Sequence, residues 1–276
     1  MDEARKGLYA RNVPKLPAAR LALWAYAGVG VTLGARAALA GAAPLGPLLV
    51  GLGGYVVLGT LGVFWPERGM YGRLLWRGPA RPEVALTFDD GPCPETTPRV
   101  LELLGAAGVR ATFFVVGRKA ERHPELLREM ARAGHQVELH GFDHDRLFSL
   151  RTGSRVARDI ERTQDVIERA GLPRPKLFRA PIGFVSHLTV DGAREADVTL
   201  IGCSARALDG FRGASPDKVA ARLTRALEPG ALLALHDAAE RDDYVPASIA
   251  ALPRVLAAIQ ARGLRPVTLS DWCRND

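Results

Sequence analysis

The chain has 276 residues, 47% hydrophobic and 24% charged, which is enough for one sizeable core with an appendage. Its net charge of +7 is spread along the chain and forms no basic stripe between aromatic residues, which argues against nucleic acid as a partner. An anionic membrane surface is a simpler partner for this charge. The cysteines are too far apart for a disulfide framework or a Cys-x-x-Cys metal site: Cys93, Cys203 and Cys273.

Two apolar stretches follow a basic tail of residues 1–20. The second, 45–65, has no charged residue and is long enough for a bilayer core, which requires ~20 apolar residues. The first, 21–39, contains Arg36, and an arginine inside a span costs ~2.5–3.5 kcal/mol unless it lies at the interface. We predict one or two transmembrane helices here, with a buried helical hairpin as the alternative. A cleaved signal peptide fits poorly, because the apolar region is long and doubled.

Positive residues flank this pair of stretches on both sides, and the short connection between them has none. The positive-inside rule then favours a hairpin with both ends in the cytoplasm. If only 45–65 spans the membrane, the rest of the chain lies outside. Both topologies stay open, and the expected location is the bacterial cytoplasmic membrane. Residues 66–81 are interpreted as a juxtamembrane linker.

Strand-like and helix-like patterns alternate through the predicted catalytic domain, residues 82–276. Such alternation predicts an α/β fold with a parallel sheet, and about seven units favour an irregular (β/α) barrel over an open sheet. The predicted strands are 84–88, 111–116, 136–140, 177–179, 199–201, 231–235 and 265–268. There is no Gly-x-Gly-x-x-Gly after the first strand and no Walker-type loop, so a nucleotide cofactor is not expected.

Ionisable residues collect where the predicted strands end. In such barrels the functional site lies at the carboxyl ends of the strands. These positions hold Asp89 and Asp90, His140 and His144, Arg179, Asp209, and His236. The chain therefore predicts a polar site at one rim.

His140-x-x-x-His144 has the spacing of metal ligands. With Asp90 it makes a set of two histidines and one carboxylate, which leaves coordination positions open for water and substrate. Asp89 and Asp90 are adjacent on an extended backbone and are expected to point in opposite directions. One can then bind a cation while its neighbour faces a substrate.

Four motifs in this order resemble those of the polysaccharide deacetylases, the NodB-homology family also called carbohydrate esterase family 4. They are Thr87-Phe-Asp-Asp-Gly-Pro92, His140-x-x-x-His144, Arg179-x-Pro181 and Leu235-His236-Asp237. The resemblance covers about residues 82–269. It implies an irregular barrel of about seven β/α units and a hydrolase of amino-sugar N-acyl groups.

The resemblance also implies a role for each matching residue. Asp90, His140 and His144 would bind a divalent metal, zinc or a similar ion such as cobalt. Asp89 would be the catalytic base that deprotonates a water on this metal, and Arg179 would hold it in place. His236 would be the general acid, with Asp209 orienting it. The substrate pocket would be formed by Leu235 at the acyl methyl and by Pro181 and Ile182, whose N–H would bind the oxyanion.

Three positions depart from the family pattern. Ile182 and Gly210 stand where the family often has aromatic residues that wall a sugar groove, and Trp272 is too far along the chain to replace them. Their loss argues against an extended polymer as substrate, but not against hydrolysis. Cys93 follows the Asp-Asp-Gly-Pro turn and is interpreted as a small filler or an exposed thiol.

Three functions remain in view. The first is a metal-dependent N-deacetylase of a membrane-associated amino sugar, either a cell-envelope glycan or a lipid-linked saccharide. The second is a deformylase or other amidohydrolase of non-peptide C–N bonds, acting on a small amide. The third is an inactive, membrane-tethered glycan-binding protein, which would have lost a ligand, base or acid. This sequence retains them all: Asp89, Asp90, His140, His144 and His236.

Overall fold

The computed structural model describes residues 18–41 and 45–274, so most of the predicted basic tail and part of the connection between the apolar stretches lie outside the described residues. Eight parallel strands form one curved sheet in the order β5-β4-β3-β2-β1-β7-β6, and β8 pairs with the beginning of β1. The strands are β1 Glu83–Asp89, β2 Thr112–Val115, β3 Gln136–Leu139, β4 Leu177–Phe178, β5 Thr199–Leu200, β6 Ala205–Arg206, β7 Ala231–His236 and β8 Arg265–Val267. This arrangement is an incomplete barrel and confirms the predicted fold class.

Helices surround this sheet, as the alternating strand-like and helix-like patterns predict. Those helices are α3 Thr97–Ala106, α4 Gly117–Arg122, α5 Pro124–Arg132, α6 Gly153–Arg169, α7 His187–Glu195, α8 Pro216–Arg225, α9 Ala247–Ala261 and α10 Leu269–Arg274. α8 begins with an N-cap: the Ser215 side chain accepts a hydrogen bond from the Lys218 N–H, and Pro216 takes the first turn.

Side chains alternate along β1 between two apolar layers. Val84, Leu86 and Phe88 pack in the core between the sheet and the helices. Ala85 points the other way, into a cluster inside the barrel that includes Trp272. β1 is buried along its whole length. Its period of two places Asp89 on the same inner face as Ala85. The strand thus delivers a carboxylate to the barrel interior.

An apolar helical pair precedes the barrel: α1 Ala18–Leu39 and α2 Leu45–Phe64. Among the described residues, one helix segment, Arg20–Leu39, has the length and composition to cross a membrane, and Gly51–Phe64 is a shorter apolar helix. The predicted linker 66–81 packs against the barrel. Leu75 is buried and forms a parallel bridge with Ile201, next to the end of β5.

We predict that Leu232→Ala lowers the free energy of unfolding by ~2–5 kcal/mol, the usual cost of truncating a fully buried leucine. Leu232 is completely buried in the cluster inside the barrel. Urea denaturation of the full chain in detergent micelles, followed by circular dichroism, measures this change. The control is Leu150→Ala, at a leucine that is 72% exposed, which should cost no more than about 0.5 kcal/mol. Equal losses in the two variants would contradict a tightly packed barrel interior.

Candidate active site

The site begins with an ion pair at the carboxyl end of β1. Asp89 Oδ1 accepts a hydrogen bond of 2.7 Å from Arg179 Nη1, which also donates to Thr87 Oγ1 at 2.7 Å. The second guanidinium nitrogen, Nη2, donates to the carbonyl of Gly202 at 2.9 Å, and the guanidinium lies over the Phe114 ring. Both charged side chains are almost completely buried. Arg179 therefore holds the Asp89 carboxylate in one orientation.

Asp90 breaks the alternation of the strand. Its φ of +74° lies in the left-handed region, which aspartate tolerates better than most residues. The turn brings its carboxylate to the same cleft as Asp89, although neighbours on a regular strand would point to opposite faces. The two carboxylates thus serve one site from two directions.

Asp90 lies against two histidines. Its Oδ1 is 3.4 Å from His140 Nε2 and 3.1 Å from His144 Nε2. Ligand atoms from these three buried residues all lie within 4.8 Å of one another. Burial alone would raise the pKa of Asp90, but the neighbouring imidazoles of His140, His236 and His144 lower it well below its usual range. The carboxylate is therefore held ionised.

The His140 ring is oriented by a backbone carbonyl. Its Nδ1 lies 2.8 Å from the carbonyl oxygen of Arg179, which can only accept a hydrogen bond. Nδ1 therefore carries the proton, and Nε2 presents its lone pair towards Asp90. This is the tautomer that a histidine needs in order to bind a metal ion.

The donor set suits a divalent ion. Asp90 Oδ1 is buried and has no hydrogen-bond partner among the described residues, a costly state for a carboxylate oxygen unless a cation binds it. Two imidazole nitrogens and one carboxylate oxygen are ligands that zinc and similar transition-metal ions prefer. The residues present fit such an ion.

His236, at the end of β7, faces this set from the opposite side. Its Nε2 is 3.9 Å from Asp90 Oδ2, and its Nδ1 lies 2.8 Å from Asp209 Oδ1. Asp209 is fully buried, and its second oxygen accepts a hydrogen bond from the His236 backbone N–H. Burial lowers the pKa of His236, but the Asp209 carboxylate outweighs this effect, and the pKa is raised to about 10. His236 is thus protonated at neutral pH.

The third part of the site is the turn Pro181–Gly183, which follows β4. Ile182 has a φ of +61°, an outlier for a β-branched residue. Its backbone N–H donates to no partner within the part of the chain that the structure describes. Ala180, Ile182 and Gly183 all line the cleft. A strained turn with a free N–H beside a metal-ligand set is suited to bind a developing oxyanion.

All of these groups open into one cleft of about 390 Å³. Its walls also carry exposed apolar side chains and a charged pair in which Arg146 contacts Glu240 at 2.7 Å. The cleft is lined by residues that include Pro66, Glu67, Asp89, Asp90, His140, His144, Arg179, Ile182, Arg206, Leu208, Phe211, Ala234, His236 and Glu240.

Some predicted site residues lie elsewhere. Leu235 is fully buried in the core between sheet and helices, because the alternation of β7 sends Ala234 and His236 to the cleft and Leu235 to the other face. We therefore do not assign it a contact with the acyl group. Pro181 is also buried, as the first residue of the turn that contains Ile182. Cys93 is buried, with its Sγ 2.9 Å from Glu95 Oε2, which fits the small-filler interpretation rather than an exposed thiol.

The Gly210 position is tightly restricted. A Cβ added there would lie 3.0 Å from Cε1 of His236. The surface beside His236 is therefore formed by the backbone at this position. Trp272 lies buried inside the barrel, away from the cleft.

Supporting residues were missed by the sequence analysis because their types are common and their partners are distant in sequence. Thr87 holds Arg179 from β1, and the Ser248 hydroxyl donates to the carbonyl of His236 at 2.6 Å. The position of Thr87 on the inner face of a buried strand, two residues before Asp89, was a usable signal. Ser248 on α9 carried none.

Comparisons with known proteins agree with this geometry. Residues 77–201 match the family model described as polysaccharide deacetylase. The chain is 30% identical over 206 residues to a peptidoglycan-N-acetylglucosamine deacetylase of Bacillus cereus, covering 74% of this chain and 72% of the relative. It is 32% identical over 200 residues to a chitooligosaccharide deacetylase of Sinorhizobium fredii, covering 67% and 89%.

A solved structure extends the likeness to the fold. The family 4 acetyl xylan esterase of Clostridium thermocellum, in complex with a cobalt ion, superimposes with a TM-score of 0.64 at 27% identity, covering 70% of this chain and 90% of that one. The chain belongs to the polysaccharide deacetylase family. As predicted, this deacetylase-family chain is a hydrolase of non-peptide carbon–nitrogen bonds.

We predict that Asp90→Ala and His144→Ala abolish retention of zinc, because each removes one of three ligands. Metal content after dialysis, measured by inductively coupled plasma mass spectrometry, reports this loss. Asp89→Asn is the matched control, since Asp89 is paired with Arg179 and is not part of the ligand set. Full zinc content in His144→Ala would contradict the assignment.

Proposed function

We propose that this deacetylase-family chain is a membrane-anchored, metal-dependent hydrolase that removes N-acetyl groups from amino sugars of the cell envelope, either in a glycan or in a lipid-linked saccharide. The observation that carries the proposal is that Asp90, His140 and His144 lie between two side chains of opposite charge. Asp89 is a carboxylate held by Arg179, and His236 is an imidazolium held by Asp209. The names of the relatives, which act on N-acetylated glycans, support this substrate class.

The chemistry needs a base, an acid and a site for negative charge. A divalent ion bound by Asp90, His140 and His144 would polarise the amide carbonyl and lower the pKa of a water molecule. Asp89 accepts the proton from the attacking water. The Ile182 N–H donates to the oxygen on which negative charge develops. Zinc is the proposed ion, with cobalt or a similar ion as an alternative.

Amide cleavage then depends on protonation of the leaving nitrogen. Amines are poor leaving groups, so the C–N bond breaks as His236 gives its proton to the nitrogen. The oxygen of water ends in acetate, and the nitrogen leaves as a free amine on the sugar. A carboxylate on one side of the site and an imidazolium on the other are suited to such a division of labour.

The helical pair supports membrane anchoring. α1 and α2 contain 22 and 20 residues, each about 30 Å long at ~1.5 Å per residue, close to the thickness of a bilayer core. Large apolar side chains on both helices are exposed, including Val31 at 72% and Leu49 at 66%. Exposed apolar faces of this size are stabilised when lipid covers them.

The test is release of acetate from chitotetraose by the full chain in detergent micelles loaded with zinc. Asp89→Asn should lower kcat by ~10²-fold or more, since general base catalysis contributes that much, while its zinc content stays unchanged. Normal turnover by this variant would show that the base is misassigned. Faster release of formate from the N-formyl analogue than of acetate would favour the deformylase alternative.

The pH dependence provides a separate check on the acid. His236 must be protonated to act, and its pKa of about 10 keeps it so through neutral pH. In Asp209→Asn the largest raising effect is lost while burial still lowers the pKa of His236, so the alkaline limb of the kcat profile should move to lower pH. Asp217→Asn, at an exposed residue on α8, is the control and should leave the profile in place. An unshifted limb in Asp209→Asn would contradict the role of His236.

A further inference from the structure

The segment that leaves the helical pair forms part of the active-site wall. Pro66 and Glu67 come directly after α2, which ends at Phe64, and both line the cleft that contains Asp90 and His236. The reaction site therefore opens within a few residues of the end of an apolar helix.

The turn beside the metal ligands also rests on this helix. The backbone N–H of Val185 donates to the carbonyl of Val63 at 3.4 Å, and the Phe184 ring packs edge-on against Phe64 with centroids 4.6 Å apart. Ile182, with its free N–H, is only two residues before Phe184. The end of α2 and the oxyanion turn are thus a single packed unit.

Both ends of the helical pair meet the barrel on this same side. Arg20, at the start of α1, donates through Nε to the carbonyl of Met70 at 2.9 Å, and Tyr71 donates its hydroxyl proton to the carbonyl of Gly59 in α2 at 2.7 Å. The start of α1 and the end of α2 therefore lie together at one end of the pair, its base, which favours a hairpin of two spans.

The charges at the two ends of the hairpin differ. The base carries Arg20, Arg68, Arg73 and Arg77, whereas the other end has one basic residue, Arg36 in the last turn of α1. The positive-inside rule places such a base, and the barrel attached to it, in the cytoplasm. A catalytic cleft there meets sugars before they are exported, at the inner surface of the membrane.

The cleft offers a cation on the same wall. Arg206 is exposed, lines the cleft and has no hydrogen-bond or ion-pair partner among the residues that the structure describes. Its guanidinium lies over the oxyanion turn, where a Cβ on Gly183 would be 2.8 Å from Arg206 Nη2. The other cleft arginines differ, since Arg179 is paired with Asp89 and Arg146 with Glu240. A free guanidinium is a preferred partner for phosphate.

Much of the remaining wall is apolar. Leu208 is 52% exposed, Phe211 57% and Ile182 37%. These residues supply lipid-compatible surface where the family often has aromatic walls for a polymer. Glu67, at the same mouth, is a carboxylate with no partner in the described ranges and is suited to hydroxyl groups of a sugar.

We infer that the substrate of this cleft is an N-acetylated sugar joined through phosphate to a membrane lipid, presented at the inner leaflet, with Arg206 binding the phosphate. This inference rests on the proposed deacetylase function. The hairpin holds the cleft at the membrane surface, the metal-ligand set receives the acetamido group, and the lipid stays in the bilayer.

The experiment measures deacetylation by the full chain in proteoliposomes with three probes. They are N-acetylglucosamine linked through diphosphate to a polyprenol, the soluble nucleotide sugar UDP-N-acetylglucosamine, and chitotetraose, which has no phosphate. The variants are Arg206→Gln, Arg206→Lys as the conservative change, and Arg194→Gln as a control at an exposed arginine on α7, outside the cleft.

We expect the highest kcat/KM for the polyprenol-linked probe. Arg206→Gln should raise KM for that probe by about 10-fold or more, the usual loss for a charged hydrogen bond, and should change chitotetraose turnover less than about twofold. Arg206→Lys should recover most of the loss, and Arg194→Gln should resemble the unaltered chain. Preference for chitotetraose, preference for the soluble nucleotide sugar, or equal effects of Arg206→Gln on all probes would each overturn the inference. Deacetylation of none of the probes would instead count against the proposed function itself.

Discussion

A guanidinium and a carboxylate buried together have little water to stabilise their charges, so each must be satisfied by the other and by neighbouring dipoles. Arg179 and Asp89 meet this condition inside the barrel, with Thr87 and the carbonyl of Gly202 completing the shell. Arg179 also orients one of the proposed metal ligands, because its carbonyl oxygen fixes the tautomer of His140. The turn that contains Ile182 begins at Pro181, two residues after Arg179. The proposed base, metal ligand and oxyanion donor therefore share one structural anchor.

A second ion pair, between His236 and the buried Asp209, lies on the opposite side of the cleft. Asp209 accepts from both the ring and the backbone of His236, which keeps the imidazole charged and points its Nε2 at the centre of the site. Parallel pairing of β1 with β7 sets Asp89 directly beside His236 in the sheet register. The sheet thus brings the proposed base and the proposed acid to one rim from strands far apart in sequence. Their opposite charge states follow from their surroundings.

Much of this could be predicted from sequence because parallel strands end at one rim, and the polar residues at those ends are of types that bind metals or move protons. Leu235 shows where such reasoning fails: motif position does not reveal strand face, and the register of β7 turns this side chain into the core. The strand β6 was missed because it has only two residues, neither fully buried, and follows β5 without a helical crossover. The fit of the linker against the cleft depends on long-range packing that no local pattern records. The positive φ of Asp90, which unites the two carboxylates, is likewise a tertiary effect.

The central claim is that Asp90, His140 and His144 together hold a divalent ion in a catalytic cleft. X-ray absorption spectroscopy at the zinc edge, on the full chain loaded with one equivalent of zinc, tests it most directly. The account predicts scattering from two imidazoles with oxygen ligands and no sulfur, and loss of one imidazole in His140→Ala. A shell that contains sulfur, or one unchanged in that variant, would contradict it.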